Sequence, residues 1–167
     1  LAGNAIASAI TSPSSGAVTI DNTHPTSSAA TIAVTGSGNA NDADVITLTL
    51  DPSETVGTPV CTWTDGSGAM EDTDVTYATV DGTDHHTAAV TVHNDDDDGA
   101  VAFSCTYTDS AGNAIVSAIT THSSGSAITI DNTHPSISSV EFASGDYVNN
   151  AEDESAINLV IITSGAE

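Results

Sequence analysis

Asp95-Asp96-Asp97-Asp98, closed by Gly99, is the densest run of charge in this sequence. Carboxylates bunched in this way are hard oxygen donors, and the chain has neither lysine nor arginine to compete for them. Calcium, which takes six to eight oxygens at about 2.4 Å, is the ion such a group suits. If the turns at one end of a β-domain come together, Asp42, Asp44 and Asp131 join the run. The group is then a candidate calcium site at the junction with the next domain. A second acidic cluster, Asp51, Glu54, Asp81, Asp84 and Asp109, is expected at the opposite end. No EF-hand loop or nonapeptide calcium repeat frames either one. An aspartate run between strands is also simply well solvated, so geometry has to decide.

Other chemistry is thinner. Cys61 and Cys105 are too far apart for a CxxC redox pair and do not follow a zinc spacing. They read as one disulfide or as two buried thiols, and nothing near them would lower a thiol pKa for catalysis. A disulfide suits an extracellular, oxidising setting. His85 and His86 are adjacent, so on a strand they point to opposite faces and chelate poorly. His24 and His134 belong to a repeated linker segment, and the histidines read as polar turn residues. No G-x-S-x-G elbow and no phosphate-cradling glycine loop occurs, so an enzyme is the least expected class. There is no N-x-S/T acceptor for N-glycosylation, while the many serines and threonines leave O-glycosylation open.

The elements that must position these residues are strands. Short β-branched runs recur over residues 27–35, 44–50, 58–64, 74–80, 86–93, 100–108 and 114–130, the last interrupted near 123–125. Turn segments such as "GSGNAND", "DPSE", "NDDDDG" and "DSAGN" separate them. Seven strands without helical periodicity predict an all-β fold, an immunoglobulin-like sandwich. On the strands, Pro59, Cys61 and Trp63 share one face, as do Val101, Phe103, Cys105 and Tyr107. The cysteines would then meet inside the core beside Trp63.

The chain also repeats itself. "AGNAIASAITSPSSGAVTIDNTHP" at 2–25 returns as "AGNAIVSAITTHSSGSAITIDNTHP" at 111–135, and "DADVITLTL" at 42–50 is echoed by "DESAINLVI" at 153–161. A period near 110 residues is too long for a solenoid turn and right for tandem small β-domains. The phase predicts the end of one repeat at 1–24, a complete repeat at 25–134 and the beginning of another at 135–167. The sequence thus reads as a window onto a longer array. Asp21, Asn22, His24 and Pro25, with their copies Asp131, Asn132, His134 and Pro135, are the linkers. Without a bound ion, flexing about these linkers is expected.

"GAVAFSCTYTDSAGNA…ITIDNTHP", preceded by "DADVITLTLDPSETVGTPV", resembles the bacterial-type Ig-like repeats of very long surface and adhesion proteins. Those repeats carry a "TDxAGN" turn and a "DxTxP" end before the next domain. The histidine before the proline and the paired cysteines depart from that pattern. The resemblance implies a spacer or stalk rather than a catalyst.

Charge narrows the partners. With 23 acidic residues and a formal charge of −23, the chain cannot neutralise phosphates, which excludes nucleic acid, and it has no basic patch for anionic membranes. Its field attracts metal cations or partners with basic faces. No apolar run approaches the ~20 residues of a membrane span. The expected role is a segment of an extracellular filament, stalk or adhesin shaft, in contact with neighbouring copies of the same repeat. A surface-layer lattice is the alternative. A glycan-binding module ranks lower, because sugar platforms need exposed aromatic faces and only six aromatics occur.

Overall fold

The computed structural model describes residue 16 and residues 19–36, 39–80, 84–142 and 159–164. Asp81 and the first copy of the repeat at 2–15 lie outside the described residues. The elements are β1 (Ser27–Val34), β2 (Val45–Pro52), β3 (Val60–Thr64), β4 (Thr76–Thr79), β5 (His86–Thr91), β6 (Gly99–Ala100), β7 (Ala102–Thr106), β8 (Thr129–Ile130), β9 (Ser136–Phe142) and β10 (Leu159–Ser164). The described residues contain no helix, and the fold is all-β with antiparallel sheets.

Strict alternation makes these strands two-faced. In β2, Ile46, Leu48, Leu50 and Pro52 are buried while the residues between them are half-exposed. β5 has the same pattern. One sheet runs in the order β1-β2-β5-β4, and a second pair is β3-β7. Their buried faces belong to one hydrophobic cluster: Ile32, Leu48, Leu50 and Val90 from the first, Cys61, Trp63, Phe103 and Cys105 from the second. Trp63 and Phe103 are directly opposed, with ring centroids 5.7 Å apart.

The expected strands 27–35, 58–64, 74–80 and 86–93 each contain an observed one, and 44–50 overlaps β2, which continues to Pro52. The span 100–108 divides at Val101: its N–H reaches the Ile128 carbonyl at 2.9 Å, in step with the β6–β8 pairing, whereas β7 from Ala102 onward pairs with β3. The span 114–130 departs further: only β8 is regular strand. Its backbone changes partner along the way. Cys105 and Ile119 exchange hydrogen bonds at 3.0 and 2.9 Å, then Ser123 donates to the Ala30 carbonyl at 2.8 Å, and β8 finally pairs with β6. Segments that share bonds among three partners cannot form one ladder. Gly125 makes the crossing possible. It holds φ +91°, and a Cβ there would sit 2.1 Å from the Ile32 carbonyl oxygen.

His86 opens a strand, as the span 86–93 has it, but its burial corrects the reading of the histidines as polar turn residues. It opens β5 opposite Leu50 and is buried, while His85 faces outward and pairs with Asp51 at 3.0 Å.

β9 and β10 form a hairpin that repeats β1–β2 position by position. Ala30 pairs with Leu50 and Ile32 with Leu48; Val140 pairs with Ile161 and Phe142 with Leu159. Both pairings slip at the matching serine. Ser28 donates to the Asp51 carbonyl at 3.0 Å, and Ser138 to the Ile162 carbonyl at 3.0 Å.

Candidate functional site

The strand order gives the central unit two poles. At the upper pole the turn between β1 and β2, the loop between β5 and β6, and the exit of β8 come together. Ala43 and Asp44 exchange hydrogen bonds with Val92, and Asp131 donates to the Ala40 carbonyl at 2.9 Å. Asp42, Asp44, Asp95–Asp98 and Asp131 therefore share this pole. What each carboxylate does there differs.

Asp44 accepts from the Thr35 hydroxyl at 3.0 Å and the Asn41 amide at 3.1 Å. Asp96 is 3% exposed and accepts from the amides of Glu71 at 2.7 Å and His93 at 2.9 Å, so it ties down its own loop. Asp97 accepts from the Ser67 hydroxyl. Asp98 accepts from the Asn132 amide and the Thr133 hydroxyl, both at 2.6 Å, and these bonds hold its carboxyl below the ordinary aspartate range. Asp131 accepts from the Thr133 amide at 3.0 Å. Asp42 and Asp95 are exposed. The loop is seated by glycine: a Cβ on Gly66 would lie 2.4 Å from the Asp98 carbonyl oxygen. A shallow pocket lined by Asn41, Asp42, Asp131, Asn132, His134 and Pro135 opens beside the linker.

At the lower pole the linker ahead of β1 meets the turn after β7. The His24 Nδ1 donates to the Ala114 carbonyl at 2.7 Å, Asn113 donates to the Asp21 carbonyl at 3.2 Å, and Pro25 is fully buried. Asp109 accepts from Asn113 Nδ2 at 2.8 Å and from the amides of Ala111 and Asn113. The Asn113 side chain is the main reason its pKa lies below normal. Asp51 pairs with His85, and the Thr55 hydroxyl donates to Asp84 at 3.1 Å.

Among the described residues, one group of three metal-capable side chains has its ligand atoms within 4.8 Å of one another: Asp21, Glu54 and Asp109. It lies at the lower pole and recruits Asp21, which the sequence marks only as linker. At the upper pole Asp44, Asp96, Asp97, Asp98 and Asp131 are each bonded to amides or hydroxyls instead, and no such trio forms among the described residues. Asn113 is the residue that sequence reasoning missed. Its signal was available, because "AGN" recurs in both copies of the repeat.

Cys61 and Cys105 form a disulfide between directly opposed positions of β3 and β7. It lies inside one sheet rather than between the two, and the described residues contain no free cysteine. Trp63, the only tryptophan, is in the core beside it.

Comparison with protein-family models, curated proteins and solved structures found no match for the chain.

Proposed function

We propose that this chain is part of a tandem array of immunoglobulin-like β-sandwich modules that serves as an extracellular filament, stalk or adhesin shaft. The observation that carries the reading is the β9–β10 hairpin. It begins directly after a linker and repeats the register, the slip and the serine bond of β1–β2. A new module starting after each linker is what an array requires. The order β1-β2-β5-β4 against β3-β7, with the segment after Ala114 beside β7, supports the immunoglobulin-like assignment. The disulfide supports an oxidising compartment.

In this reading the acidic surface keeps the array soluble and loaded with cations, calcium among them. At the lower pole Asp21, Glu54 and Asp109 crowd together in a chain without lysine or arginine, so cations from solution must moderate their repulsion. Electron microscopy of longer arrays tests the shaft: rods with a constant axial rise per repeat are expected, and collapsed or branched particles overturn it. Melting with calcium, with sodium of equal ionic strength and with chelator tests the ion. Calcium is expected to raise the Tm beyond sodium in the wild type and not in Glu54→Gln. Equal shifts leave screening alone.

A further inference from the structure

The segment Asp-Asn-Thr-His-Pro occurs twice, and each copy holds a different partner. The downstream copy is fastened to the unit before it. Asn132 donates from Nδ2 to the carbonyls of His93 at 2.9 Å and Asp96 at 3.0 Å, and from its amide to Asp98 at 2.6 Å. The Thr133 hydroxyl donates to the second Asp98 oxygen. The upstream copy is fastened to the unit after it, through the Asp21 carbonyl, the His24 ring and buried Pro25.

The local turn is the same in both. Asp21 accepts from the Thr23 amide at 2.9 Å, and Asp131 from the Thr133 amide at 3.0 Å. An aspartate bonded to the amide two residues on fixes its turn without outside help. The working side chains, however, are complementary. The Asn132 and Thr133 side chains bond to the complete unit before them, and Pro25 is buried against the complete unit after it; each copy meets only one such unit among the described residues. His134 donates to the carbonyl of Asn132 in its own turn at 3.0 Å, while His24 reaches across to Ala114. The backward grip uses the Asn132 amide and side chain and the Thr133 hydroxyl. The forward grip uses the first carbonyl, the histidine ring and the proline. The two sets share no atom.

We infer that this five-residue segment is a two-sided clamp between successive modules. Its asparagine and threonine hold the β5–β6 loop of the preceding module. Its aspartate carbonyl, histidine and proline hold the turn after β7 of the following one. The partner surface on the following module is the Asp109–Ala114 turn, with Asn113 bridging the linker to Asp109. A linker gripped on both faces transmits orientation, whereas the proline alone fixes only one dihedral. This inference rests on the reading of the chain as tandem modules.

The full chain tests the two faces separately, because each copy displays one of them. Amide exchange and backbone 15N relaxation are recorded for the wild type and four single variants. Asn132→Ala is expected to speed exchange of the residue 132 amide, which donates to Asp98, roughly tenfold and His24→Ala to loosen residues 21–24, as for the loss of one or two hydrogen bonds. Asn22→Ala is expected to change neither linker, and His134→Ala to remove only the bond to the Asn132 carbonyl within its own turn while the grip of Asn132 and Thr133 on the preceding unit stays. Equal effects of Asn22→Ala and Asn132→Ala, or no effect of Asn132→Ala and His24→Ala, overturn the clamp. Thr133→Val, which removes only the hydroxyl bond to Asp98, repeats the backward test if Asn132→Ala disturbs the fold. Cross-strand contacts between Val140 and Ile161 in the same spectra report on the module reading. Their absence sinks that reading whatever the linkers do, and their presence with silent linkers sinks the clamp alone.

Discussion

The hairpins β1–β2 and β9–β10 have the same register and opposite surroundings. Leu48 and Leu50 are 0% exposed, whereas their counterparts Leu159 and Ile161 are 51% and 53% exposed. The covering of β2 comes from β5 at its edge and from Trp63, Phe103 and the disulfide over its face. β10 has no third strand among the described residues. The same contrast appears at the other end of the repeat, where Ile130 is 1% exposed and its copy Ile20 is 81% exposed. Local pairing is therefore written into the hairpin, and burial is supplied by the further strands that pack around β1–β2. A two-stranded hairpin is marginal by itself, and additional strands or a packed face stabilise it.

The largest expected difference between the two regions comes from the cross-link. Converting both Cys61 and Cys105 to alanine should destabilise the central unit by about 4 kcal/mol in the chain-entropy picture, given a sequence separation of 44. The β9–β10 hairpin has no such staple, and its cross-strand contacts should survive. Urea denaturation followed by Trp63 fluorescence measures the loss. A shift near zero would mean that packing alone holds β3 to β7.

A sharper test uses one residue type in both settings. Leu48→Ala should cost roughly 2–5 kcal/mol, since a fully buried leucine leaves a cavity. Leu159→Ala should stay within about 0.5 kcal/mol, as for an exposed site. Similar losses at both positions would show that β10 is covered in solution.

The smallest effect concerns protonation. Asp98 and Asp109 have folded pKa values below the ordinary 3.8, chiefly through the Thr133 hydroxyl and the Asn113 side chain respectively. Depressed carboxyls contribute stability above the unfolded pKa, and that contribution fades as pH falls through the folded values. Asp96 and Asp97 stand beside Asp98, and Asp21 and Glu54 beside Asp109, so falling pH also relieves repulsion at both poles. The Asn132 amide resonance, which reports on the Asp98 carboxyl, should move with a midpoint below 3.8. Glu141 is the only acid on the β9–β10 strands, so the cross-strand amides away from it should stay put. A midpoint at or above 3.8 for Asn132 would remove the role given to Asp98.

Much of the architecture was legible in the chain. β-branched runs between turn segments located β1 to β5, and where one face is dry, as in β2 and β5, burial repeats every second residue. The same rule put Cys61, Trp63, Phe103 and Cys105 on one buried surface. The turns also placed Asp42, Asp44, Asp95–Asp98 and Asp131 at one end of the unit, where the structure has them. Three things were not legible. The segment 114–130 has strand composition throughout, yet it divides its bonds among β7, β1 and β6. Asp96 looks like its neighbours and is nonetheless buried, because Glu71 and His93 present amides to it from two directions. Asp21 reads as linker and ends beside Glu54 and Asp109.

By itself, then, the sequence determined the strands, their faces, the repeat and the charge, since these depend on residue types at short separations. Only the tertiary structure decided which carboxylates meet and which are occupied by amides. It alone separated the two working faces of the linker. Those outcomes depend on which distant backbone groups arrive within about 3 Å, and no spacing along the chain encodes that distance.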